Sequence, residues 1–205
     1  PALDVSNNTN LKSLSCGSNL LNLDLSNNIA LTYLSCNGSY LINLDISNNT
    51  SLDTLYCSNN QLLTALDVSN NSALTTLNCQ NNHALTTLDV SNNPALTYLY
   101  CKNNYILTTL DVSGATNLAR LECPGASSNQ YTSLAKLTSL DVSQNTALWY
   151  LDCKNNKLTS LDVSGNTALT YLFCSDNSLT SLDLRNGNNT NMTYISTNGN
   201  SNLFC

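Results

Sequence analysis

Apolar and polar residues alternate along this chain in short bursts, and the bursts recur. Leu-Asp-Val-Ser, or a close variant, begins at Leu3, Leu23, Leu44, Leu66, Leu88, Leu110, Leu140, Leu161 and Leu182. The step is nearly constant, with one longer interval between Leu110 and Leu140. A second burst, Leu-x-Cys, falls between them and ends at Cys16, Cys36, Cys57, Cys79, Cys101, Cys123, Cys153 and Cys174. Alternation with period two over such short stretches predicts strands whose apolar members point one way. One unit of about 21 residues therefore holds two strands, a Cys row and an Asp row, each of the form L-x-x-L-x-L-x-x-N. Leu169, Leu172, Cys174 and Asn177 make one half; Leu158, Leu161, Val163 and Asn166 make the other. A single coil cannot bury its own leucines, so coils must stack. The asparagine turns the chain, and its amide can bond the backbone of neighbouring coils. The expected fold is a solenoid of parallel strands with little or no helix, in about nine coils. The array is expected over residues 1–184, with a longer loop at 123–136. Residues 185–205 read as an atypical terminal coil and the start of a carboxy-terminal cap.

The repeat L-x-x-L-x-C-x-x-N-x-L-x-x-L-D-V-S-x-N resembles the 21-residue bacterial leucine-rich repeat of the IRREKO type. Leu148-Trp-Tyr-Leu-Asp-Cys-Lys-Asn-Asn-Lys-Leu-Thr-Ser-Leu-Asp-Val-Ser-Gly-Asn166 matches it throughout. The resemblance implies a leucine-rich-repeat solenoid like those of secreted or surface proteins of the Bacteroidetes group. With that it implies an extracellular or outer-surface location and a binding or adhesion role, but no particular ligand. Asn gives way to Ser39, Ala115, Ala126 and Gly187. The last Cys row, from Met192 to Asn200, carries Thr197 where Cys belongs, as a capping coil would. The chain starts at Pro1 inside a repeat and stops at Cys205, and reads as a piece of a longer protein.

Composition narrows the function. Only 10% of residues are charged and the net charge is −6, which disfavours nucleic acid and anionic membranes as partners. No apolar run approaches the length of a membrane span, and no signal peptide is visible. Eight of nine cysteines share one column. Equivalent residues on adjacent strands sit about 4.8 Å apart with parallel Cβ vectors, too far and wrongly turned for a disulfide and in a line rather than a tetrahedron. They read as small inward hydrophobes. Cys205 stands outside the column and is expected to pair beyond the visible end.

The two rows present different residues outward. Nine aspartates, from Asp4 to Asp183, stand between Leu and Val of the Asp rows. Their main reading is structural, as acceptors for nearby hydroxyls and turn amides. A Ca²⁺ rail, with Asp67, Asp89 and Asp111 as its candidates, is the alternative; no other cofactor is expected. The Cys row varies outward. Before the inner Leu come Tyr33, Tyr98, Arg120, Tyr150, Tyr171 and Tyr194; after it come Tyr56, Tyr100, Glu122, Asp152 and Phe173. Trp149 precedes one row, and Lys102 and Lys154 follow the cysteines. Aromatic and arginine enrichment marks recognition surfaces, though tyrosine also favours strands for its own sake. These aromatics and Arg120, with Gln130 and Tyr131 of the long loop, are the candidate binding residues for a protein or carbohydrate ligand.

The single histidine, His83, lies in a turn, and no nucleophile elbow, phosphate loop or metal-ligand spacing appears. An enzyme is therefore not expected. A non-enzymatic binding module leads. The alternative is a rigid spacer, an accessory subunit of a surface complex, or a filament subunit. Ice binding by Thr/Ser ranks such as Thr86-Thr87, Thr108-Thr109 and Thr159-Ser160 is a lesser one, opposed by the charged column beside them.

Overall fold

A computed structural model describes residues 2–17, 19–126, 136–185, 187 and 191–203. Among these, the strands in chain order are β1 (Ala2–Leu3), β2 (Ser13–Ser15), β3 (Asn22–Leu23), β4 (Tyr33–Ser35), β5 (Thr54–Tyr56), β6 (Thr76–Asn78), β7 (Thr87–Asp89), β8 (Tyr98–Tyr100), β9 (Thr109–Asp111), β10 (Arg120–Glu122), β11 (Tyr150–Asp152), β12 (Tyr171–Phe173) and β13 (Tyr194–Ser196). The Cys rows form one parallel sheet of nine described strands, in the order β13-β12-β11-β10-β8-β6-β5-β4-β2. The Asp rows pair only in places, as β1 with β3, β7 with β9, and a lone bridge between Asp162 and Asp183. The chain is thus the coil-on-coil parallel β-solenoid that the repeat predicts.

Leucine, valine and cysteine fill one continuous core along the stack. Leu31, Leu34, Leu52, Leu55, Leu74 and Leu77 are fully buried, and each such side chain contributes roughly 1.5–3 kcal/mol. The thiols point inward between them: Cys36, Cys57, Cys79, Cys101, Cys123, Cys153 and Cys174 are buried and free, and Cys16 is half-buried at the first described coil. Cys205 lies outside the described residues. Burial pushes the thiols of Cys36 and Cys79 up to about 12 and that of Cys174 up to about 11. It also drives Cys57, Cys101, Cys123 and Cys153 well above their ordinary value.

The unequal pairing of the two rows follows from their corners. After the Asp strand the chain makes two local turns in succession. The Asn71 amide donates to Val68 O at 2.9 Å, and Leu74 N donates to Asn71 O at 3.0 Å. The same pair recurs at Asn28, Asn49, Asn93, Asn145 and Asn166. These turns use backbone donors within the coil. The Cys row instead passes through a left-handed residue: Gly38, Asn59, Asn81, Asn103, Asn155, Asp176 or Gly199, with φ between 54° and 75°. Glycine, asparagine and aspartate tolerate that region best. The amide there turns outward to the next coil, as in Asn59 N to Gln80 O at 2.9 Å and Asn81 N to Lys102 O at 3.0 Å. The cysteine amides do likewise, for example Cys79 N to Tyr100 O at 2.9 Å. Inter-coil bonds therefore accumulate on the Cys side, and that face is the continuous sheet.

The buried asparagines form two ladders of different kinds. In the Cys row, Asn82 Nδ2 donates to Cys57 O of the coil before and to Cys79 O of its own, both at 3.1 Å. Its Oδ1 accepts Asn60 N at 2.7 Å. Asn60, Asn104, Asn156, Asn177 and Asn200 repeat the arrangement with small changes of partner. In the Asp row, Asn71 Nδ2 donates to Ile46 O and Asn49 O, both of the preceding coil. The Oδ1 atoms of Asn28, Asn49, Asn71, Asn93 and Asn145 are buried without a partner, because the local turns have already used the nearby donors.

Candidate functional site

The outer lanes of the nine-stranded sheet place most of the predicted residues side by side. One lane runs Tyr98, Arg120, Tyr150, Tyr171, Tyr194 in register, and the next runs Tyr100, Glu122, Asp152, Phe173, Ser196. Trp149 joins them from the residue before β11. The rings touch in series. Trp149 meets Tyr150 and Tyr171 edge-on at 5.6 and 6.0 Å, Tyr150 meets Phe173 at 5.3 Å, and Phe173 stacks on Tyr194 at 4.9 Å. Such contacts contribute about 0.5–1.5 kcal/mol each and fix ring positions. Tyr98 and Tyr194, at the flanks, are 40% and 49% exposed, and the others are half-buried by one another.

Charge sits in the middle of this patch. The Arg120 guanidinium lies 4.0 Å from the Tyr150 ring centre, with the Tyr100 and Trp149 rings at 5.9 and 5.8 Å. Its Nε and one terminal nitrogen donate to Glu122 Oε1 at 2.8 and 2.5 Å. Just past the end of the next strand, Lys154 Nζ reaches Asp152 Oδ2 at 3.2 Å and lies 5.7 Å from the Phe173 ring. Burial raises the Asp152 carboxyl above its usual range against the pull of Lys154. Burial also raises the Tyr100 and Tyr150 hydroxyls. The alternation pattern points Asp152 outward. It does stand on the outer face, but the neighbouring rings and Lys154 cover it to 5% exposure.

The other predicted residues fall elsewhere. Tyr33 and Tyr56 form a separate edge-to-face pair at 5.9 Å, across a polar stretch of Thr76 and Asn78. Gln130 and Tyr131 lie outside the described residues. The Asp column is exposed, and each of its nine members accepts the amide two residues on, at 2.8–3.0 Å. Hydrogen bonding from the following serine lowers Asp4, Asp24, Asp45, Asp67, Asp141 and Asp162. Arg185 takes Asp183 down to about 2. One oxygen of each carboxylate is thus committed to holding its turn. No group of three or more metal-ligating side chains occurs among the described residues. Open clefts of about 200 and 220 Å³ separate Asp24, Asp45 and Asp67, and one of about 300 Å³ separates Asp162 and Asp183, at or below the lower end of the roughly 300–1,000 Å³ of small-molecule pockets.

Two features were not anticipated. His83 stacks on Tyr105 at 4.1 Å with planes 16° apart. Tyr40, Ile42, Leu62 and Leu21 leave apolar surface exposed on the same edge of the earlier coils. The signal for the first was the slightly longer step of the central coils. The extra residue lets Leu63, Leu85 and Leu107 close a local turn onto Asn60, Asn82 and Asn104. Shorter coils instead bond outward there, as Lys157 N does to Leu137 O. The turn projects the residue after Asn82 and Asn104, and in adjacent coils these are His83 and Tyr105.

No protein-family model and no curated protein matches the chain. Solved structures do. The functional domain of InlJ from Listeria monocytogenes, described as including a cysteine ladder, aligns with a TM-score of 0.80 at 36% identity, over 98% of this chain and 47% of that one. The chain therefore spans about half the length of that structure. The internalin inlF from Listeria monocytogenes aligns with a TM-score of 0.51 at 20% identity, over 88% of this chain and 68% of that one, a likeness of fold alone.

Proposed function

We propose that this leucine-rich-repeat solenoid is a non-enzymatic binding module, displayed outside the cell, that holds a protein partner against the Cys-row face of its later coils. One observation carries the reading. The chain's only tryptophan, its most connected rings and a ring-stacked arginine share one contiguous patch, Tyr98 to Tyr194. Interface centres are enriched in these residue types. The InlJ domain shares the fold at 36% identity over 98% of this chain and 47% of its own, which supports a role related to that domain's. No helix among the described residues is long and apolar enough to cross a membrane. A protein partner is favoured over a sugar because the rings are tilted 30–77° to one another. Interdigitating side chains fit such a surface better than successive flat sugar faces do.

Replacing Tyr98, Tyr150 and Tyr171 together by alanine tests this. Fluorescently labelled protein is expected to bind cultured animal cells saturably, and binding should vanish when the cells are first treated with protease. The triple variant is expected to bind at least about tenfold more weakly, as losing several interface rings implies, with its thermal unfolding still cooperative. Equal binding by the variant would remove the function from this face. Binding that survives protease but not glycosidase would make the ligand a glycan.

A further inference from the structure

The centre of the patch carries two carboxylates and two cations, and their depths differ. Glu122 and Asp152 are register partners on β10 and β11, with side chains only 14% and 7% exposed. Arg120 and Lys154 cover them, with side chains 29% and 40% exposed. The acids are thus the floor and the cations the surface. Each buried carboxylate fixes the cation above it, so little further side-chain entropy is lost when a ligand arrives. The rings of Tyr150 and Phe173 hold the same two cations from the side. They also exclude water, which strengthens any charge contact made there. An aromatic patch that needed only apolar contact would not need this buried acidic layer.

We infer that the protein partner presents an acidic side chain, and that its carboxylate docks between Arg120 and Lys154 while its apolar neighbours pack on the Trp149, Tyr150 and Phe173 rings. This rests on the binding-module reading above and adds the chemistry of the partner. The four charges balance, with the cations outermost, which makes the patch an exception in a chain of net charge −6. An acidic partner would be repelled elsewhere and accepted here, which gives orientation as well as affinity.

A random peptide library displayed on phage, selected on the immobilised chain, tests the inference. Selected peptides are expected to carry Asp or Glu beside an aromatic or aliphatic residue. A synthetic copy should bind the double variant Arg120→Gln/Lys154→Gln at least about tenfold more weakly than the parent, the usual scale for losing a desolvated charge contact. The charge-retaining pair Arg120→Lys/Lys154→Arg should keep most of the binding, and guards against a variant that merely misfolds. Selection on Arg120→Glu/Lys154→Glu should return lysine- or arginine-bearing peptides. Peptides without acidic residues, or equal binding by the Gln pair, would overturn the inference. If such peptides still lose binding to the triple tyrosine variant, the face stands and only the acidic partner falls. If neither set of changes matters, both fall. Binding of a uronic-acid oligosaccharide alone, with no peptide selected, would overturn the assignment to protein.

Discussion

Raising the pH from 8 to 10 under reducing conditions should unfold this protein. Seven thiols are sealed in the core, and burial raises the pKa of every one of them. The smallest of these rises takes Cys174 to about 11. In the unfolded chain each returns to about 9.0. A group raised by folding contributes stability that is complete below its unfolded pKa and is lost as pH climbs toward its folded one. At pH 10 an unfolded thiol is mostly ionised and a folded one is not. The loss is therefore about 1.4 kcal/mol per thiol, or roughly 10 kcal/mol for seven. That rivals the whole stability of an ordinary domain, about 5–15 kcal/mol. Urea midpoints measured at pH 8, 9 and 10 should fall steeply, with an alkaline slope approaching seven protons. Changing Cys57, Cys79 and Cys101 to alanine should weaken the protein at pH 7 and flatten that slope by about three protons. A midpoint indifferent to pH over this range would mean that the column is not buried.

Asn82→Ala should cost about 2–6 kcal/mol, and Asn71→Ala only about 1–3 kcal/mol, although both side chains are wholly buried. Removing Asn82 leaves Asn60 N without its acceptor and takes one of two donors from Cys57 O and from Cys79 O, which keep Asn60 Nδ2 and Asn104 Nδ2. Removing Asn71 takes one of two donors from Ile46 O and from Asn49 O, which keep Asn49 N and Leu52 N, strands no donor, and deletes an Oδ1 that has no partner in the native fold. A buried donor left unpaired costs about 1–3 kcal/mol, and a hydrogen bond lost from a carbonyl that keeps another about 0.5–1.5 kcal/mol, so the difference follows from counting groups. Urea unfolding of the two variants at pH 7 measures it. Equal losses would show that the corners of the two rows are alike, contrary to the left-handed residue that recurs at the Cys-row corners and is absent from the Asp-row corners at Asn28, Asn49, Asn71, Asn93, Asn145 and Asn166.

These two results also mark what the sequence discloses. Leu-x-Cys and Leu-x-Val give the strands, their register and the inward thiols, because period-two alternation has one packing solution once coils stack. The same alternation puts Tyr98, Arg120, Tyr150 and Tyr171 in one lane. The difference between the two asparagine ladders is not legible. Ser-Asn-Asn occurs in both rows, and only the φ of the middle residue, positive at Asn59 and Asn81, separates an outward amide from a local turn. Pattern reading places Asp152 outward but is blind to its burial, which depends on Phe173 of the next strand and on Lys154. His83 looks solitary in sequence because its stacking partner Tyr105 comes a whole coil later. The charge layering beneath Arg120 has the same origin: it exists only after β10 and β11, on either side of the longest interval in the repeat, are laid side by side.

The central claim is that cysteines line the inside of this stack while the rings of the same strands meet solvent. Residue-resolved chemical labelling of the native protein, with iodoacetamide for thiols and tetranitromethane for tyrosines, tests it most directly. Cys36, Cys57, Cys79, Cys101, Cys123, Cys153 and Cys174 should stay unmodified until the chain is denatured, while Tyr98 and Tyr194 are nitrated at once. Prompt alkylation of those thiols, with Tyr98 and Tyr194 protected, would contradict the account.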